Sequence, residues 1–314
     1  MSRLFLWACI AVATAMCGTS SALADEPRRL EGSSPWHLTY AEDSCRVVRQ
    51  FGEGDNQVTL ILDRYEPGDL FRLMLAGRPV RNVDADREAQ VRFGEYETEQ
   101  RLPFERGDLG DLPAMIFTAP MSIGPLMRDE ESGLVETTAE NEEDRDSVAA
   151  LSAQIRQNRI AEDRYRNAHY IWVNARRMSP VRLETGSMNQ LFAAFDLCLD
   201  ELLTHWGIDA EAHQSLTRIA MPVSNPGRWI DSADYPREAL RRGGQGLVYF
   251  RLSVDEQGNA TECHIQRSTR GEHFQAAVCA AIMDNAEFAP ALDADGNPIA
   301  SYFVNSVYFT LRRR

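Results

Sequence analysis

Gly246-Leu247-Val248-Tyr249-Phe250-Arg251-Leu252-Ser253-Val254, followed by Asp255-Glu256-Gln257-Gly258-Asn259, is the stretch that decides the fold of the C-terminal part of this chain. Val248, Phe250, Leu252 and Val254 alternate with more polar neighbours, the period of a strand with one buried face. The Asp-x-x-Gly turn that follows reverses the chain into a hairpin. The return strand puts Thr261, Cys263 and Ile265 on one face. Beyond it, Phe274, Ala277, Val278, Ala281 and Ile282 fall at helical spacing, so a helix packs on the sheet. A second turn, Asp293 to Pro298, leads into Ile299 to Leu311, a final strand rich in Phe, Tyr and Val. The predicted order is strand, strand, helix, strand, with Phe250, Phe274, Phe303 and Phe309 in its core.

Working towards the N-terminus, Met221-Pro222-Val223-Ser224-Asn225-Pro226-Gly227 has the composition of a linker. It separates a unit over 25–220 from one over 235–314, with 221–234 between them. From Trp36 to about Pro120 strand-like stretches alternate with turns: Gln57 to Leu62, the turn Glu66-Pro67-Gly68-Asp69, then Leu70 to Leu75. This predicts an antiparallel β unit. The acidic run from Asp129 to Asp146 fits a solvated linker and helix N-terminus better than a metal cluster, because carboxylates favour the dipole there. Val148, Leu151, Ile155 and Ile160 mark a weakly amphipathic helix, and Leu191, Phe192, Phe195, Leu199, Leu202 and Leu203 a second one bearing Cys198. No repeat period suggests a solenoid or propeller.

Met1-Ser2-Arg3, an apolar run from Leu4 to Met16, and Ala22-Leu23-Ala24 before Asp25 have the pattern of a secretory signal peptide cleaved after Ala24. The apolar run is shorter than the roughly 20 residues a bilayer span needs. Lipidation at Cys17 is disfavoured by the bulk of Met16 before it. Removing the leader leaves Cys45, Cys198, Cys263 and Cys279, an even number in an exported chain and hence two disulfides. Cys263 and Cys279 share the compact C-terminal unit, which leaves Cys45 with Cys198. That bond would clamp the second helix across the β unit.

Composition narrows the function. The chain has 314 residues and a formal net charge of -14, with no basic stripe, which argues against a nucleic-acid partner. Every basic residue is Arg; there is no Lys. No Gly-x-Ser-x-Gly elbow, phosphate-cradling loop or His-Glu-x-x-His helix is present, so neither an enzyme nor a cofactor is expected. Cys263, His264, His273 and Cys279 resemble a metal set, but adjacent strand residues point to opposite faces, and a disulfide with two surface histidines suits an oxidising compartment better. Trp36, His37, His169, Trp172, His205 and Trp206 are expected as packing and surface residues. Glu95, Glu97 and Glu99, alternating along a strand face, are explained by solvation. A hydrolase hidden in the first unit would need a deep pocket with perturbed carboxylates or His.

Tyr235-Pro236 with Ala239, Gly246 with Val248 and Phe250, Asp255-x-x-Gly258, Ser268, Phe288-x-Pro290-Ala291 and Gly296-x-Pro298 together resemble the C-terminal domain of TonB energy transducers. The resemblance covers Tyr235 to Leu311, under a third of the chain. It implies a three-stranded antiparallel sheet crossed by one helix (ββαβ), so the class of the whole chain is α+β: a β-rich unit with helices, then this domain. It also implies a periplasmic location and capture of a TonB-box peptide of an outer-membrane receptor, or another envelope protein, by strand addition. An open sheet edge offers unpaired backbone groups for that purpose. The resemblance makes Ile299 to Leu311 the edge, presenting Tyr302, Val304, Ser306 and Tyr308, with Tyr235 and Pro236 leading in. Covering of that edge by Arg312-Arg313-Arg314 or by a homodimer is the competing expectation. Family transducers carry a transmembrane helix with a His and a long Pro-rich spacer. Here no His precedes His37, so a membrane-anchored energy transducer with its leader retained is the second functional reading.

Overall fold

The computed structural model describes residues 26–84, 88–124, 162–269 and 272–311. The expected signal peptide, the acidic run Asp129–Asp146, the helix through Val148 and Ile160, and the Arg312–Arg314 tail lie outside them. The described part of the first unit is a ten-stranded sheet with three helices. Its strands are β1 (Arg28–Glu31), β2 (His37–Tyr40), β3 (Cys45–Phe51), β4 (Val58–Arg64), β5 (Arg72–Ala76), β6 (Glu88–Phe93), β7 (Gln100–Leu109), β8 (Leu112–Phe117), β9 (Tyr170–Asn174) and β10 (Val181–Glu184). The helices are α1 (Glu162–Asn167), α2 (Asn189–His205) and α3 (Ala210–Gln214).

The spatial order is β1-β10-β9-β6-β7-β8-β5-β4-β3-β2. The antiparallel pairing expected over Trp36–Pro120 is present, and the sheet extends past it. β9 and β10 join from beyond Pro120, and β1 pairs with β10 in parallel. Only Leu30 of β1 is buried, so this four-residue strand had no alternation to reveal it. The sheet curls until its ends meet: Ser33 N donates to Gln50 O at 2.8 Å and Gly52 N to Glu31 O at 2.8 Å, tying the end of β1 to β3. Inside lies one apolar core, with Leu60, Leu62, Leu73, Leu75, Phe93 and Phe117 fully enclosed.

Helix α2 closes this core. Leu191, Phe192, Phe195, Cys198, Leu199, Leu202 and Leu203 are its buried residues, the stripe its spacing predicts. The Cys45–Cys198 disulfide joins β3 to α2 with Cα atoms 6.1 Å apart. β4 is buried along its whole length, so it is covered on both faces. Its inner face meets this core, and its outer face carries Ile61 and Asp63.

The second unit contains β11 (Met221–Pro222), α4 (Arg237–Arg241), β12 (Gly246–Val254), β13 (Ala260–Ser268), α5 (Glu272–Asn285), β14 (Phe288–Ala289), β15 (Ala291–Leu292), β16 (Pro298–Ile299) and β17 (Ser301–Phe309). Its main sheet is β13-β12-β17, antiparallel throughout, with α5 across one face. Val248, Phe250, Leu252 and Val254 meet Phe274, Val278 and Ile282 of α5 and Phe303 and Phe309 of β17 in one buried cluster. Cys263 of β13 bonds Cys279 of α5. The stretch expected as a linker is packed into this unit. Met221 and Pro222 pair with Ala289 and Phe288, and Trp229 is buried against Phe288 and Phe303.

The two turn motifs have a common chemistry. Asp255 Oδ1 accepts from the amides of Gln257 and Asn259, and Asp293 Oδ1 from those of Asp295 and Asn297. Hydrogen bonds from Asn259 and from the Asn297 backbone hold the two carboxyls below their usual range. Gly258, at φ +87, lies so close to Phe288 that a Cβ there would stand 1.9 Å from the Phe288 carbonyl oxygen. The Asp-x-x-Gly and Phe-x-Pro-Ala motifs are therefore two sides of one contact, sealed by Phe288 N donating to Gly258 O at 2.9 Å. Gly258→Ala is expected to cost about 2–3 kcal/mol, combining the left-handed backbone with the collision. Urea unfolding measures it.

Candidate functional site

The alternation that puts Val248 and Phe250 into the core sends Leu247, Tyr249 and Arg251 to the opposite face of β12. On β17 the same rule separates Phe303 from Tyr302, Val304 and Ser306. That opposite face lies against the first unit. Tyr249 stacks on Tyr65 with ring centroids 5.1 Å apart and planes 9° apart. The Arg72 guanidinium lies 4.5 Å over the Tyr249 ring and donates to Ser306 Oγ at 3.1 Å and to Thr118 O at 2.6 Å. Burial pushes the phenol of Tyr65 well above its usual range and that of Tyr249 upward as well, so both stay neutral.

A carboxylate fastens the same contact. Asp63, its side chain only 4% exposed, accepts from Arg46 at 2.6 and 2.9 Å and from Arg267 at 2.6 Å. Arg46 neighbours it on β3, and Arg267 reaches it from β13. A bulge in β13 brings the next contact: Tyr249 pairs with Arg267 and Phe250 with Ile265, leaving Gln266 unopposed. Freed from the ladder, Gln266 donates to Asp43 O at 3.0 Å and Tyr65 O at 3.4 Å. Bulges re-aim side chains in this way.

At the start of β17, Tyr302 packs edge-on against Trp206 at 5.6 Å, and Arg251 stacks over the Trp206 ring at 4.4 Å. His213 Nδ1 lies 2.8 Å from Asp209 O, and its Nε2 lies 3.0 Å from Ser301 Oγ. The carbonyl can only accept, so Nδ1 carries a proton; in the neutral imidazole Nε2 then accepts from the serine hydroxyl. Burial lowers its pKa. The unfolded chain therefore binds the proton first as pH falls, so this contribution is present above about pH 6.5 and is lost below it. The melting temperature of the native protein is expected to fall relative to His213→Gln between pH 7.5 and 5.5.

The sequence-predicted site residues divide by environment. Val304 is buried among Tyr65, Leu247 and Tyr249. Ser306 is held by Arg72, and its amide donates to Asn305 Oδ1 at 2.8 Å. Tyr308 is 40% exposed, and burial of its hydroxyl end, with Glu105 next in effect, pushes its phenol up to about 12. Tyr235 donates to Gly244 O at 2.6 Å and packs against Phe274 and Phe309, while Pro236 caps α4. A cleft of about 1010 Å³ runs beside the start of β17, lined among others by Pro67, Leu197, Leu203, His213, Ile219 and Tyr302.

The metal-like set is dissolved by the Cys263–Cys279 bond, and His264 Nε2 lies 2.9 Å from a Glu262 oxygen. Sequence reasoning did not single out Asp63, Arg267, Arg72, Tyr249 or Gln266. A charged pair, Asp63-Arg64, ending the apolar run Val58-Thr59-Leu60-Ile61-Leu62 was the one available signal.

A three-stranded antiparallel sheet with β17 at its margin, one helix across it, and joined Asp-x-x-Gly and Phe-x-Pro-Ala motifs define the class of the second unit. Residues 231–311 match the family described as Gram-negative bacterial TonB protein C-terminal, so the unit is a TonB-type C-terminal domain. No curated protein matches the chain. Among the described residues no helix is long and apolar enough to cross a membrane.

Proposed function

We propose that this is a periplasmic binding protein of the cell envelope whose TonB-type domain takes up an extended segment of a partner as an added strand on β17. The observation that carries the reading is the position of β17, nine residues long and outermost in its sheet among the described strands. A strand so placed supports pairing through backbone groups. The partner is a TonB-box peptide of an outer-membrane receptor or another envelope protein. We place a signal peptide over 1–24, a first domain over 25–220 and the binding domain over 235–314, with 221–234 joining the two domains while packed against the second.

Tyr302, Val304, Ser306 and Tyr308 define the strand used, with Tyr235 and Pro236 bracing its far end. Because Val304 and Ser306 turn towards the first domain, recognition along this strand would rest on backbone pairing more than on side-chain pockets. An incoming strand would also have to displace Asn305 from the amide of Ser306. Titration with TonB-box peptides tests this. Saturable binding that is weakened by Ser306→Pro, which removes an amide from β17, is expected. Failure of every such peptide and every envelope protein tried to bind would overturn the proposal.

A further inference from the structure

At one end of the ten-stranded sheet a recess of about 280 Å³ collects arginines from four places in the chain. Arg28, Arg78, Arg81 and Arg177 line it, with Asp55 and Asn82 among the other lining residues. Three turns build it: 54–56 after β3, 78–80 after β5, and 175–180 between β9 and β10. Arg28 N donates to Pro180 O at 2.7 Å and Asp84 N to Arg176 O at 3.2 Å, which fixes these pieces together.

The charges do not balance. Asp55 pairs with Arg78 at 2.6 Å, and Arg28 donates to the neutral Asn56 Oδ1 at 2.7 Å. Asp84, close by in sequence to Arg81 and Asn82, is engaged by Arg176 at 3.8 Å. Arg81 and Arg177 have no carboxylate partner among the described residues. In a chain of formal charge -14, four arginines gathered in one concavity with a single lining carboxylate, Asp55, make a local field of the opposite sign. Like charges held together repel unless an anion sits between them.

Arg177 has φ +68, the one non-glycine positive φ among the described residues, while eleven glycines take such angles elsewhere. An L side chain is unfavourable there, and strain of this kind clusters at binding sites. Glycine would suit the turn better, yet the position carries an arginine that lines the recess.

We propose that this recess binds a phosphate-class oxyanion, gripped by Arg81 and Arg177 with Arg28 and Arg78 at its rim. The guanidinium fork matches two oxygens of a phosphate at once. A free phosphate or the headgroup of an anionic lipid would each supply that chemistry.

Calorimetric titration of the full protein with inorganic phosphate and pyrophosphate, at low and constant ionic strength, is one arm of the test. Sedimentation with phosphatidylglycerol vesicles, against phosphatidylcholine vesicles, is the other. Both are repeated on Arg81→Gln/Arg177→Gly, whose melting temperature is expected to be unchanged or raised because glycine relaxes the turn. Binding of the free anions, weakened about tenfold or more in the variant, supports the proposal and names a soluble ligand. Binding only to the anionic vesicles, lost in the variant, supports it and names the headgroup. No binding in either arm, or equal binding by the folded variant, overturns it.

Discussion

Replacing Cys45 and Cys198 together by Ala is expected to remove about 5 kcal/mol of unfolding free energy, from the loop-closure entropy of a cross-link spanning 153 residues. The Cys263–Cys279 bond closes only 16 residues, and its removal is expected to cost about 3 kcal/mol. The first loss is comparable with the whole stability of many domains. It also frees α2, whose buried stripe covers the core of the first unit, so unfolding should begin there. Denaturant titration of the two double variants, each with the other bond intact, provides the comparison. If the long loop proves the cheaper one to open, the unfolded chain is not what these bonds act upon.

Asp63→Ala is the second large effect, expected to cost about 3 kcal/mol. Removing one member of a buried charge cluster leaves its partners uncompensated, and here two guanidinium groups lose the carboxylate they share. Arg46 and Arg267 remain 33% and 26% exposed, so water recovers part of the loss and the lower end of the usual range applies. The signature should be local as well as global. Amide exchange should quicken along β13 and around Tyr249, where the two units touch, before it quickens in the core around Phe250. Uniform loss of protection would mean that Asp63 supports β4 alone and not the contact between the units.

What the sequence disclosed and what it hid follow from range. The alternation at Val248, Phe250, Leu252 and Val254, the stripe from Leu191 to Leu203 and the two aspartate turns are local patterns, readable within a few residues, and each became the element it predicts. The disulfides were legible because four cysteines leave few choices once two of them share a small unit. Asp63 meeting Arg267 across a separation of 204 residues has no periodic signature, and neither does the parallel pairing of β1 with β10. Trp229 was hidden differently: it follows a stretch of Pro, Ser, Asn and Gly whose composition suggests a free connection, while the indole itself fills the core beside Phe288. The strand face bearing Tyr302, Val304 and Ser306 was read with the right alternation, but one sequence window cannot show that another part of the chain lies against it.

That covered face has a consequence for anyone who would excise the module. A fragment beginning near residue 231 would leave Leu247, Tyr249 and Val304 stripped of Tyr65, and Arg267 stripped of Asp63. Such a fragment should be a sticky plate that clumps at working concentrations, portable as a pattern of residues but not as a free-standing part.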